Sequence, residues 1–116
     1  MKIVNVRNAK EYVPSRHLHT INKRLIDRTL GAKNLSLVFG KIEPGGGAHQ
    51  HTHRMEQAYY VLRGKATIVT PKERCETGPG SAIFIPPRTP HKLLNLGPKR
   101  LEILVIFSPP PNRISR

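Results

Sequence analysis

The sequence predicts an all-β chain, a small antiparallel barrel or jelly roll, from three observations. Apolar and β-branched residues fall in short runs. Glycine and proline break the chain between those runs. No segment beyond residue 33 keeps the 3.6-residue apolar period of a helix. Short strands divided by turn chemistry are the pattern of sandwiches and barrels.

Taken in order, the first 33 residues are the least patterned. Residues 8–15 fit a short turn or helix, and 23–29 fit an edge strand. The strand-like runs are 35–42, 58–62, 66–70, 82–85, 92–96 and 101–107. Breakers between them include Pro44-Gly45-Gly46-Gly47, Gly64, Gly78-Pro79-Gly80, Pro86-Pro87 and Gly97-Pro98. Gly64 is expected in the hairpin turn before Lys65. Pro109, Pro110 and Pro111 cannot donate to a ladder, so 109–116 is expected to leave the barrel and lie on its surface or on a partner subunit. The expected organisation is one domain over 1–116: N-terminal strands or an arm over 1–33, a barrel core over 34–108 and a Pro-rich tail.

A chain of 116 residues can build one core without disulfide or metal staples. Twenty Lys and Arg against seven Asp and Glu give a net charge of +13. Such a field attracts anions. Nucleic acid, an anionic membrane surface and an acidic small molecule all fit it. Aromatics are 5% and none interleaves a basic motif, so nucleic acid is a weak expectation. No apolar stretch approaches the roughly 20 residues of a membrane span. Met1-Lys2-Ile3-Val4-Asn5-Val6 does not read as a secretion signal. Cys75 is the sole cysteine, which excludes an internal disulfide and a Cys-based zinc motif and makes the cytoplasm the expected compartment.

The chemistry concentrates in Gly45-Gly46-Gly47-Ala48-His49-Gln50-His51-Thr52-His53-Arg54-Met55-Glu56-Gln57. In an extended chain alternate side chains share a face, so His51 and His53 project together and can grip one cation. Neutral imidazole suits Mn, Fe, Ni, Cu or Zn. Gln57 lies four residues beyond His53 and shares its parity. His91 follows the rigid Pro86-Pro87-Arg88-Thr89-Pro90 turn. A lone His-x-His on a strand is more often solvated than ligating, so the surrounding residues carry the weight.

Those residues resemble the two cupin motifs. The first reads Gly45, five residues, His51-Thr52-His53, three residues, Gln57, six residues, Gly64. The second reads Gly80, five residues, Pro86-Pro87-Arg88, two residues, His91, three residues, Asn95. The resemblance implies a double-stranded β-helix and one divalent metal per chain on His51, His53, His91 and a fourth ligand. Two positions depart from the family pattern. Gln57 stands where cupins usually have Glu, and Arg88 where they usually have Gly. Gln57 is the expected fourth ligand by parity, with Glu56 as rival if the strand bulges. Arg88 implies a turn conformation that a Cβ tolerates, with a cation at the barrel rim. With Gln57 the site charge is about +2 rather than about +1, which favours anionic ligands.

The resemblance leaves the reaction open, since small cupins include dioxygenases, decarboxylases, isomerases and lyases. The expected function is a metal-dependent enzyme acting on a small carboxylate-bearing molecule. The alternatives are a non-catalytic ligand-binding or sensing module and, less favoured, charge-driven nucleic-acid binding. Tyr59, Glu56 and His49 are the candidate catalytic groups; His49 also reads as rim lining and Tyr59 as core. Asn95 reads as a backbone brace. His17 and His19 form a second His-x-His without supporting context and read as solvated. A homodimer is expected, with the N-terminal segment and the Pro-rich tail as its contact.

Overall fold

The computed structural model describes residues 1–111. Nine strands follow in order: β1 (Glu11–Tyr12), β2 (His17–Ile26), β3 (Ser36–Ala48), β4 (Glu56–Arg63), β5 (Ala66–Val69), β6 (Arg74–Thr77), β7 (Ala82–Ile85), β8 (Lys92–Leu94) and β9 (Leu101–Ser108). Two 3₁₀ turns, Val6–Asn8 and Arg28–Leu30, are the only helical elements among the described residues. No helix there is long and apolar enough to cross a membrane. The all-β expectation is borne out.

All pairings are antiparallel, and the sheet order is β6-β5-β8-β3-β9-β4-β7, with β2 on the other side of β3 and β1 on β2. β3 explains the curl. Its first half pairs with β9 from Ser36↔Phe107 to Ile42↔Leu101, and its last residues pair with β8 at Gly47↔Leu94. One long strand therefore belongs to both halves of the barrel. The glycines that read as a breaker lie inside it. A Cβ on Gly47 would meet Leu93 O at 2.4 Å, and one on Gly46 would meet Leu18 O at 2.6 Å. They are glycines because β3 is squeezed there between β2 and β8. Gly64 supplies the β4–β5 turn at φ 82°, as expected.

The N-terminal region carries more structure than its sequence pattern suggests. β2 runs ten residues, from His17 to Ile26, and pairs along β3 from His17↔Ala48 to Ile26↔Leu37. Its apolar alternation is weak because its inward face carries Thr20, Asn22 and Arg24.

Period-two alternation along the strands sends one set of side chains inward. The register lines them up in rows. Gln57, Phe107 and Ser36 sit side by side on β4, β9 and β3, and Tyr59, Val105, Val38 and Arg24 on β4, β9, β3 and β2. Below these rows the core closes around Ile42, Val61, Ile68, Leu93, Leu101 and Ile103. Asn95 is fully buried and ties the barrel, donating from Nδ2 to Ile42 O at 2.8 Å and Lys99 O at 2.9 Å. The tail turns inward rather than out: Pro110 is buried, and Arg28 donates to Pro110 O and Pro111 O. The rest of the expected tail, 112–116, lies outside the described residues.

Leu101 is 0% exposed at the centre of this core. Leu101→Ala is expected to cost about 2–5 kcal/mol, through lost transfer energy and the cavity left behind. Urea denaturation reads it; a loss under about 1 kcal/mol would mean that this side chain is not core.

Candidate metal centre

The histidines are brought together by the backbone before their side chains are considered. His51 and His91 form an isolated antiparallel bridge, each N–H donating to the other's carbonyl at 3.0 Å. His53 stands two residues on, and its carbonyl accepts from Arg88 N at 2.6 Å. The ligating atoms of His51, His53 and His91 all lie within 4.8 Å of one another. His51 and His53 do share a face, but through this bridge rather than through a continuous strand, since β3 ends at Ala48.

Hydrogen bonds then set the tautomers. His51 Nδ1 lies 2.7 Å from His49 O, and His91 Nδ1 lies 2.8 Å from Thr89 O. A carbonyl only accepts, so each Nδ1 carries the proton and each Nε2 keeps its lone pair. This is the arrangement that orients imidazole toward a metal. His53 is held differently, by its ring against the edge of Phe107 at 4.9 Å. Burial pushes the His53 imidazole down to about 4, with smaller contributions from His51 and His91. Burial is also the largest cause lowering His51 and His91. All three are neutral at pH 7, the state a cation requires.

Gln57 is 3% exposed and lines the same cavity, while Glu56 is exposed on the opposite face of β4. Gln57 and Tyr59 hydrogen-bond through their side chains, which leaves Gln57 Oε1 buried without a partner. His91 Nε2 is likewise buried and unpartnered. Buried polar atoms are normally satisfied, and a cation would satisfy both kinds of donor. The residues present therefore fit a divalent ion. Tyr59 is buried, with its ring 6.3 Å from that of His91, and burial holds its hydroxyl above the usual phenol range. His49 is exposed and contributes only its carbonyl.

Two expectations change. His17 is not a solvated surface residue. Pairing of His17 with Ala48 carries its ring to 6.1 Å from that of His51, and it lines the cavity with Nδ1 on Ser15 O at 2.7 Å. Only long-range register could have revealed this. His19 stays exposed. Arg88 takes a left-handed φ of 62°, the region that favours glycine, so the turn keeps its shape and the Cβ bears the strain.

The cavity holds about 710 Å³. Its wall combines the histidine end with apolar side chains from β3 and β9 and polar ones from β2.

A family model described as Cupin domain matches residues 38–107. An uncharacterised Streptomyces coelicolor protein is 30% identical over 81 residues, covering 70% of this chain and 76% of that one. An uncharacterised Methanocaldococcus jannaschii protein is 40% identical over 62 residues, and the chain spans only about half of it (49%). Among solved structures, the polyketide cyclase RemF from Streptomyces resistomycificus superposes with a TM-score of 0.84 at 30% identity, covering 100% of this chain and 88% of its own.

The burial of neutral histidines sets a pH dependence. His53 titrates near 4 in the folded chain and near 6.5 when unfolded. A folded-state pKa depressed in this way contributes stability that is full above about 6.5 and lost as pH falls toward 4. Metal-free protein is expected to lose melting temperature across that window, and His53→Gln is expected to make the loss shallower. Parallel curves for the two proteins would contradict a buried neutral His53.

Proposed function

The chain belongs to the cupin family, and on that premise we propose that it is a metal-dependent enzyme holding a small carboxylate-bearing molecule on one divalent ion. The observation that carries the reading is the convergence of three neutral histidines, two of them with tautomers fixed by carbonyls, in a cavity with room for an organic ligand. His51, His53 and His91 would hold the ion, and Gln57 Oε1 would be the fourth ligand. Its burial and lack of a partner support it over Glu56. Mn, Fe, Ni, Cu and Zn all suit such donors.

When bound, the ion supplies Lewis-acid polarisation of a coordinated oxygen. The chain's own residues would do the rest. Tyr59 keeps its proton and donates a hydrogen bond beside the histidines. Phe107, Val105 and Val38 present apolar surface to the cavity. Of the three candidate catalytic groups only Tyr59 lines the cavity, so it is the one retained. Similarity to a polyketide cyclase at 30% identity supports an enzyme.

A non-catalytic binding module remains a second reading, favoured by one observation. Among the described residues Asp27 is the sole carboxylate lining the cavity, and it caps Thr29 and faces Arg24. No carboxylate base therefore stands beside the histidines among the described residues. Turnover of an organic-acid panel by protein loaded with each metal separates the two.

A homodimer belongs to the proposal. The outer face of β7, β4, β9 and β3 carries two charge-free rows, Phe84-Ala58-Ile106-Leu37 and Ala82-Tyr60-Leu104-Phe39, with Phe84 59% exposed.

The double variant His51→Ala/His91→Ala is expected to purify and remain metal-free by elemental analysis; full metal content would refute the site. Gln57→Ala is expected to weaken metal binding by about 10-fold or more, and Glu56→Ala to leave it unchanged. Titration of loaded protein with oxalate should give a dissociation constant below millimolar; no binding would remove the carboxylate ligand.

A further inference from the structure

In the proposed function a metal-held carboxylate takes one end of the cavity, and about 710 Å³ is room for a drug-sized molecule. The remaining wall is not uniform. In the row Tyr59-Val105-Val38-Arg24, the first residue stands beside the histidines and the last lies three strands away. At about 4.8 Å per strand that is about 14 Å along the curved sheet, and less straight across. Val105 and Val38 fill the interval, with Ile103 and Phe107 in the neighbouring rows. Arg24 therefore ends an apolar track that begins at the metal ligands.

Arg24 is built into its position. Its guanidinium lies over the Tyr12 ring at 4.3 Å, and its Nε is 3.4 Å from Asp27 Oδ2. Asp27 is itself fixed as the cap of Thr29, accepting Thr29 N at 2.9 Å. The Arg24 side chain is 18% exposed. Thr20 and Asn22 flank it on the inward face of β2. The charge at this end is positive among the described residues. Arg24 and Arg28 line it against Asp27, while Arg16 lines the histidine end, its Nη2 donating to Gln50 O. Arg28 is engaged by the carbonyls of Pro110 and Pro111, which carry no charge to offset its own.

The geometry points to a second recognition pole at Arg24, which takes an anionic oxygen group on the far end of a ligand whose near end lies at the histidines. The ligand class is an apolar, ring-sized body bearing oxygen groups at both ends. A half-buried guanidinium, oriented by a ring and a carboxylate, gives a planar fork for a carboxylate or enolate oxygen. This inference rests on the metal reading for the near end only; the Arg24 pole stands on the row geometry and the charge.

Two probes test it on the zinc-loaded chain by calorimetry: a biphenyl with a catechol on one ring and a carboxylate at the far end of the other, and the same catechol without the carboxylate. The carboxylate is expected to tighten binding about tenfold or more. Arg24→Gln is expected to erase that gain while the plain catechol's affinity and the zinc content stay within about twofold, and Arg24→Lys to restore part of it. Should Arg24→Gln fold poorly, Arg24→Gln/Asp27→Asn removes the carboxylate left without its cation. Equal affinities for the two probes, or a gain that survives Arg24→Gln, overturns the pole. Metal-free protein with biphenyl carboxylate against biphenyl separates the readings. A carboxylate gain lost in Arg24→Gln there supports the pole even if zinc is never bound; no gain there overturns it even if the histidines bind zinc.

Discussion

The reciprocal pair of backbone hydrogen bonds between His51 and His91 is the constraint on which the rest of the site depends. Without it the two histidine-bearing turns, forty residues apart in sequence, have no reason to meet. It forms because β3 does not stop at the glycines. The strand runs through Gly45, Gly46 and Gly47 between β2 and β8, where any Cβ would strike a backbone carbonyl or its neighbours at two of the three positions. Beyond Ala48 the chain stays beside the segment entering β8, the register slipping by one residue between Gly47↔Leu94 and His51↔His91. Gly45 N on Asn95 O, Asn95 N on Gly46 O and the buried Asn95 amide complete the clamp. The fold is thus a device for pressing two turns together, and the side chains they carry inherit the proximity.

Electrostatics then decides what the meeting can hold. Three imidazoles this close would repel if charged, and burial already disfavours charging them. They stay neutral, with lone pairs fixed by carbonyls behind two of them. Gln57 adds an oxygen without adding charge. A cation in this set would keep its full charge in a cavity whose other walls carry three arginines and one aspartate. The net +13 of the chain has the same sign. Every scale of the molecule favours an anion, from the donor set through the wall to the whole surface.

Much of this was legible in the sequence, and the reasons differ by residue. His51, His53 and His91 were legible because both motifs preserve spacing and the turns between them are rigid. Gln57 was separable from Glu56 because strand parity is local, and β4 is regular across both residues. His17 was not legible. Its approach to His51 follows from pairing with Ala48, thirty-one residues away, and nothing local marks that register. Arg24 was hidden for a related reason. A strand whose inward face is polar loses the apolar alternation by which strands are read. The left-handed Arg88 shows the opposite case, in which a fold imposes its backbone on a residue that local preference would reject.

X-ray absorption at the zinc edge of the loaded protein tests the central reading most directly, because it counts imidazoles without needing activity or substrate. Three imidazole nitrogens at about 2.0–2.1 Å, with the remaining shell oxygen, is the result expected of His51, His53, His91 and Gln57. A shell with fewer than two imidazoles would contradict it, since the bridge between His51 and His91 would then bring together residues that hold no metal.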